Sequence, residues 1–89
     1  MPWKYEFTAD AVKDIKKLPP SVSKRIGIKL KWYIDSSDPL SYSVKLAGNG
    51  LAGDFRFRIG DYRVIFDADD KTRVITILSI AHRREVYRR

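Results

Sequence analysis

The run FRFRIGDYRVIF, residues 55 to 66, leaves this chain little conformational choice. Apolar and charged residues alternate on both sides of a Gly-Asp pair, which is the period of a strand with one buried face and the signature of a two-residue hairpin turn. A turn at Gly60-Asp61 pairs Ile59 with Tyr62, Arg58 with Arg63, Phe57 with Val64 and Arg56 with Ile65. The faces then separate. Phe55, Phe57, Ile59, Tyr62, Val64 and Phe66 make an apolar surface, while Arg56, Arg58 and Arg63 gather on the other side. Arg58 directly across from Arg63 is a like-charge pair, which destabilises a sheet, and the only carboxylates expected on that face are Asp54 and Asp67 at its far end. Two readings fit: arginines splayed into water on their aliphatic stems, or arginines awaiting a phosphate, whose oxygens match guanidinium forks.

The rest of the chain supplies the cover for the apolar face. Trp3 to Phe7 alternates aromatic and charged residues, predicting a short first strand. Thr8 is placed to cap a helix over Ala9 to Leu18, with Asp10 in its first turn and Pro19-Pro20 as its stop. Ser21 is the expected cap of a second helix in which Val22, Ile26, Leu30, Tyr33 and Ile34 form one stripe, with Lys24, Arg25, Lys29 and Lys31 on the other faces. Val12, Ile15 and Leu18 complete a helical hairpin facing the same core. Asp35 to Pro39 ends the second helix. Lys45-Leu46 can start a short strand, and Gly48 to Gly53 signal turns. Tyr62 to Asp67 and Arg73 to Ile80 continue the hairpin into a three-stranded meander, and a short helix or turn closes the chain from Arg83. The expected fold is α+β: one domain, residues 1–89, with an antiparallel sheet covered on one face by the helix pair.

Composition narrows the chemistry. At 89 residues a domain buries roughly 60 to 65% of its unfolded surface, enough for one modest core. The absence of cysteine removes disulfides, thiolate catalysis and Cys-type zinc sites, and suits a reducing cytoplasm. MPWKYEF is too short and polar for a signal peptide, and the apolar run near Val74 to Ile80 is too short to span a bilayer. A net charge of +7 attracts polyanions: nucleic acid, an anionic membrane surface or an acidic protein.

The terminal segment AHRREVYRR adds His82, Arg83, Arg84, Tyr87, Arg88 and Arg89. The last strand ends near where the strand of Arg63 begins, so this segment can be carried back toward the arginine face. A phosphate-binding floor, one imidazole and one phenol suit RNA cleavage, in which a 2′-hydroxyl attacks its own phosphate, cations stabilise the developing charge and an acid protonates the leaving oxygen. Other roles stay open: a cap or support for His82, an amphipathic side chain packed at a terminus for Tyr87.

Together, A-x-x-D-I-K-K-L (11–18), L-A-G (46–48), F-R-F-R-I-G-D-Y-R-V-I-F (55–66) and I-x-H-R-R-E-V-Y-R (80–88) resemble the RelE-like toxins of the RelE/ParE superfamily, nearly end to end. The resemblance implies a toxin of a type II toxin-antitoxin pair. It would be a ribosome-dependent endoribonuclease that cuts mRNA in the A site of the 70S ribosome, without cofactor or metal, neutralised by a RelB-like antitoxin with which it can also sit on operator DNA. It places Arg63 as the transition-state arginine, Arg56 and Arg58 at positions that well-known members fill with lysine, Arg83 as a basic residue of the last segment, Tyr87 near the nucleophile and His82 at a position many members share. Arg84 and Arg88 are expected to add to RNA binding. An arginine with a pKa above about 12 is a poor proton carrier, so Arg56 and Arg58 read as electrostatic clamps, and the proton falls to Tyr87 or His82. The sequence ends two residues after Tyr87, so any longer terminal helix of relatives is expected to be absent. The ParE-like branch, which poisons DNA gyrase, and a basic nucleic-acid-binding domain without activity are the alternatives.

Overall fold

The computed structural model describes residues 2–45 and 55–82. Within them lie β1 (Lys4–Phe7), α1 (Ala9–Lys16), α2 (Pro20–Asp35), a 3₁₀ turn (Pro39–Tyr42), β2 (Val44–Lys45), β3 (Phe55–Ile59), β4 (Tyr62–Asp69) and β5 (Val74–His82). The strands form one sheet in the order β1-β5-β4-β3-β2. The β3–β4 hairpin has the register that its alternation dictates, Arg58 opposite Arg63 and Ile59 opposite Tyr62. Gly60 has φ +59°, and Arg73 is the only non-glycine with positive φ among the described residues. A positive φ at the first central position alone is the pattern of a type II′ turn, whose twist matches that of its strands.

The sheet departs from the expected all-antiparallel arrangement at one place. β1 runs parallel to β5, from Lys4 opposite Val74 to Phe7 opposite Ile77. No short turn connects these strands, so nothing local sets their direction, and the intervening helices act as the crossover that parallel neighbours need.

Helix boundaries follow from capping chemistry. Thr8 caps α1 as expected, its Oγ1 accepting from Ala11 N at 3.1 Å. α2 starts two residues earlier than expected: Pro19 is its cap, Pro20 its first residue and Ser21 lies inside it. Proline suits that position because its missing N–H would have no helical partner, and Pro19 O takes the N–H groups of Val22 and Ser23 instead. Ile26, Leu30, Tyr33 and Ile34 of α2 are buried against Phe57, Val64, Phe66, Ile75 and Ile77 of the sheet. One stacked ring pair ties the layers together, Tyr33 on Phe57 at 4.5 Å, and two more join β3 to β4 within the sheet, Phe57 on Phe66 at 4.4 Å and Phe55 on Phe66 at 5.5 Å. α1 ends at Lys16 rather than Leu18; Ala11 is fully buried on it, and Val12, Ile15 and Leu18 are half-buried, the last two packed against the core.

α1 is also pinned directly to β5. The β4–β5 register slips between Ile65 and Phe66, which oppose Ser79 and Ile77 and leave Leu78 unpaired on β5. Thr8 occupies that irregularity, its N–H donating to Ile77 O at 3.0 Å and its hydroxyl to Leu78 O at 3.2 Å. Farther along α1, Asp14 Oδ2 accepts from Ile80 N at 2.9 Å. β1 stops opposite Ile77, so a carboxylate satisfies an edge donor that no strand reaches.

Candidate phosphate-binding site

The three sheet arginines share a face but not an environment. Arg58 is exposed, Arg56 is half-buried, and Arg63 is only 2% exposed. Arg63 lies between Arg58 on β3 and Ala81 on β5. Its Nη1 donates to Tyr62 O at 3.3 Å, a long bond, and its Nε has no partner among the described residues. The ion pairs among the described residues, Lys31–Asp35 and Arg73–Asp70, involve none of these arginines. Asp67 lies farther along the same face, opposite Thr76, and position 54, its expected neighbour, is outside the described residues.

A guanidinium stays charged when buried, and removing it from water costs several kcal/mol unless an anion and good hydrogen bonds offset the loss. Arg63 therefore holds a fixed positive charge, with an N–H that has no partner among the described residues, at the sheet position opposite the exposed Arg58. An oxyanion there would meet charge-assisted donors already held by the sheet.

His82 closes β5 opposite Tyr62, with ring centroids 5.3 Å apart and planes nearly perpendicular. β5 does end where β4 begins, as expected. Alternation, however, sets His82 on the face of Tyr62, Val64 and Phe66, and gives Ala81 the place beside Arg63. Arg83, Arg84, Tyr87 and Arg88 lie outside the described residues, as does the closing helix or turn. Among the described residues no group of three or more His, Cys, Asp or Glu is placed to hold a metal. No helix described is long and apolar enough to cross a membrane.

Sequence reasoning placed Lys24, Arg25 and Lys29 on the outer faces of the second helix but missed the groove they line. α2 and the end of β3 enclose a groove of about 620 Å³, with Lys24, Arg25, Lys29 and Arg58 around the apolar Ile28 and Trp32. The signal was available: Ile28 and Trp32 stand four residues apart on the face opposite the core stripe, where apolar residues are out of place.

Known proteins share both the sequence and this architecture. Residues 5–87 match the family model described as ParE toxin of the type II toxin-antitoxin system, parDE. Toxin RelG of Mycobacterium tuberculosis is 35% identical over 89 residues, covering 100% of each chain. The toxin-antitoxin complex RelBE2 of the same organism contains a chain that superposes with a TM-score of 0.76 at 32% identity, over 92% of this chain and 99% of that one. The archaeal RelE-RelB complex of Pyrococcus horikoshii gives 0.72 at 30% identity, over 93% and 97%. With the strand order, the arginine-bearing hairpin and the helix pair in place, these matches make the chain a member of the RelE/ParE superfamily of type II toxin-antitoxin toxins.

Proposed function

We propose that this toxin is a ribosome-dependent endoribonuclease that cleaves mRNA in the A site. The observation that carries the reading is the buried Arg63, without an ion-pair partner among the described residues, facing Arg58 across the hairpin. In the reaction, a base takes the proton of a 2′-hydroxyl, the oxygen attacks the adjacent phosphorus, and the 5′-oxygen leaves with a proton from an acid. The products are a 2′,3′-cyclic phosphate and a 5′-hydroxyl. Arg63 would hold a non-bridging oxygen as charge builds on it, and Arg56 and Arg58 would hold the flanking backbone. His82, on the other face of the sheet, is less well placed for the proton than its chain position suggested. Tyr87, which the family resemblance puts near the nucleophile, is the base to test first. The working setting is the cytoplasm, with a RelB-like antitoxin as partner and the complex able to bind operator DNA.

The match to a model described for ParE favours one second reading, inhibition of DNA gyrase by binding. Purified ribosomes carrying a defined A-site codon decide between them. Wild type should cut within that codon, Arg63→Ala should lose about 100- to 1,000-fold in rate, as removal of an oxyanion donor does, and Tyr87→Phe should be slower still to cleave. An intact message with wild type, together with trapped gyrase-DNA complexes, would replace the ribonuclease by the gyrase inhibitor.

A further inference from the structure

The groove between α2 and the turn end of β3 is built from two kinds of side chain. Lys24, Arg25, Lys29 and Arg58 carry its charge, no carboxylate among the described residues lines it, and Ile28 and Trp32 are 62% and 52% exposed within it. Trp32 is held in place. Tyr42 meets it edge-on at 5.1 Å, and Lys29 Nζ lies 4.7 Å from its ring centroid. A rigid aromatic surface flanked by cations is the arrangement that binds single-stranded nucleic acid, the base on the ring and the phosphates on the rim. A protein partner fits less well, because the buried centre of a protein interface is depleted of charge.

Arg58 joins this groove to the sheet face. Its backbone places it opposite Arg63, and the same residue lines the groove. β2 pairs with Phe55 and Arg56 of β3 and not with Arg58, so that strand leaves the edge of β3 between the two surfaces uncovered.

We propose that the α2–β3 groove is a second RNA subsite, in which a nucleotide flanking the scissile one stacks its base on Trp32 and sets its phosphates against Lys24, Arg25 and Arg58. The identity of the strand rests on the ribonuclease reading; the binding does not. RNA follows one cationic track from Arg63, past Arg58, to Trp32.

Tryptophan emission tests this directly, because Trp3 is 6% exposed and Trp32 is the ring a ligand can reach. The full chain is titrated with a single-stranded 2′-O-methyl oligoribonucleotide, which lacks the nucleophile and cannot be cut. Binding should quench the emission. Trp32→Ala should weaken affinity about 5- to 150-fold, the worth of one stacked base, whereas Trp32→Phe should keep most of it. The double variant Lys24→Ala/Arg25→Ala should flatten the slope of log K against log salt by about 0.7 for each phosphate that is no longer neutralised. Thermal melts of each variant establish that it is folded. Wild-type affinity in Trp32→Ala, or emission that does not change as the oligonucleotide binds, overturns the proposal. So does quenching by an acidic amphipathic helical peptide with none by RNA, which would make the groove a protein site. The assay is blind to cleavage, so a toxin that leaves mRNA intact on ribosomes but still shows the Trp32 response loses the ribonuclease reading and keeps this subsite.

Discussion

Arg63 is the residue at which function and stability oppose each other. Alternation assigns it to the arginine face, but not to the buried end of the exposure range, because burial depends on everything that covers that face. Its charge is retained against a desolvation cost with one long hydrogen bond in return among the described residues. Replacing even a buried ion pair by apolar side chains of similar volume is often neutral or stabilising by about 1 to 4 kcal/mol, and Arg63 has no ion-pair partner among the described residues to lose. Arg63→Met should therefore hold or raise the free energy of urea unfolding while abolishing mRNA cleavage; a large loss of stability would show that the guanidinium is satisfied in the native state. Tyr33 gives a second prediction at this scale. Burial pushes its phenol above the usual value of 10.0, and neighbouring Tyr42 adds to the shift. A neutral acid favoured by folding contributes stability that is complete below the unfolded pKa and is lost as pH rises through the folded one. Thermal stability should fall above about pH 10, and Tyr33→Phe should remove part of that slope.

At the scale of elements, the hairpin and the first helix show what local rules can and cannot specify. The Gly60-Asp61 turn was legible because two residues between alternating runs allow one register, and Gly60 at φ +59° supplies a conformation other residues avoid. Space is not the obstacle, since a Cβ there would lie 3.8 Å from Arg25 Nη1, an ordinary contact. Gly60→Ala should cost about 1 to 2 kcal/mol, the left-handed penalty of a Cβ, measured by chemical unfolding. The Thr8 cap was legible for a similar local reason. Its second bond, to the irregular point of β5, and the Asp14 carboxylate on Ile80 N were not, because their partners lie 70 and 66 residues away. Asp14→Ala should destabilise by about 1 to 3 kcal/mol, the cost of leaving a part-buried donor unpaired. Faster amide exchange confined to Ile80 and its neighbours on β5 would identify that bond as the cause.

For the whole molecule, which carries a net charge of +7, two cationic surfaces share Arg58: the sheet face with Arg63 and the α2 groove with Trp32. A polyanion spanning both would make Arg58 its central contact. Arg58→Glu should weaken ribosome association and flatten its salt dependence, because fewer counterions are released. Equal association at every salt concentration would place the binding elsewhere. By itself the sequence determined the α+β class, the hairpin register and the division of its side chains into core and arginine faces, because period-two alternation and a two-residue turn act between close neighbours. Tertiary structure alone decided that β1 lies parallel to β5, that His82 takes the sheet face opposite Arg63, that Arg63 is buried and that Trp32 opens onto a groove with Arg58. Each of those outcomes depends on segments far apart in the chain, whose apposition is set by how one small core packs rather than by any local preference.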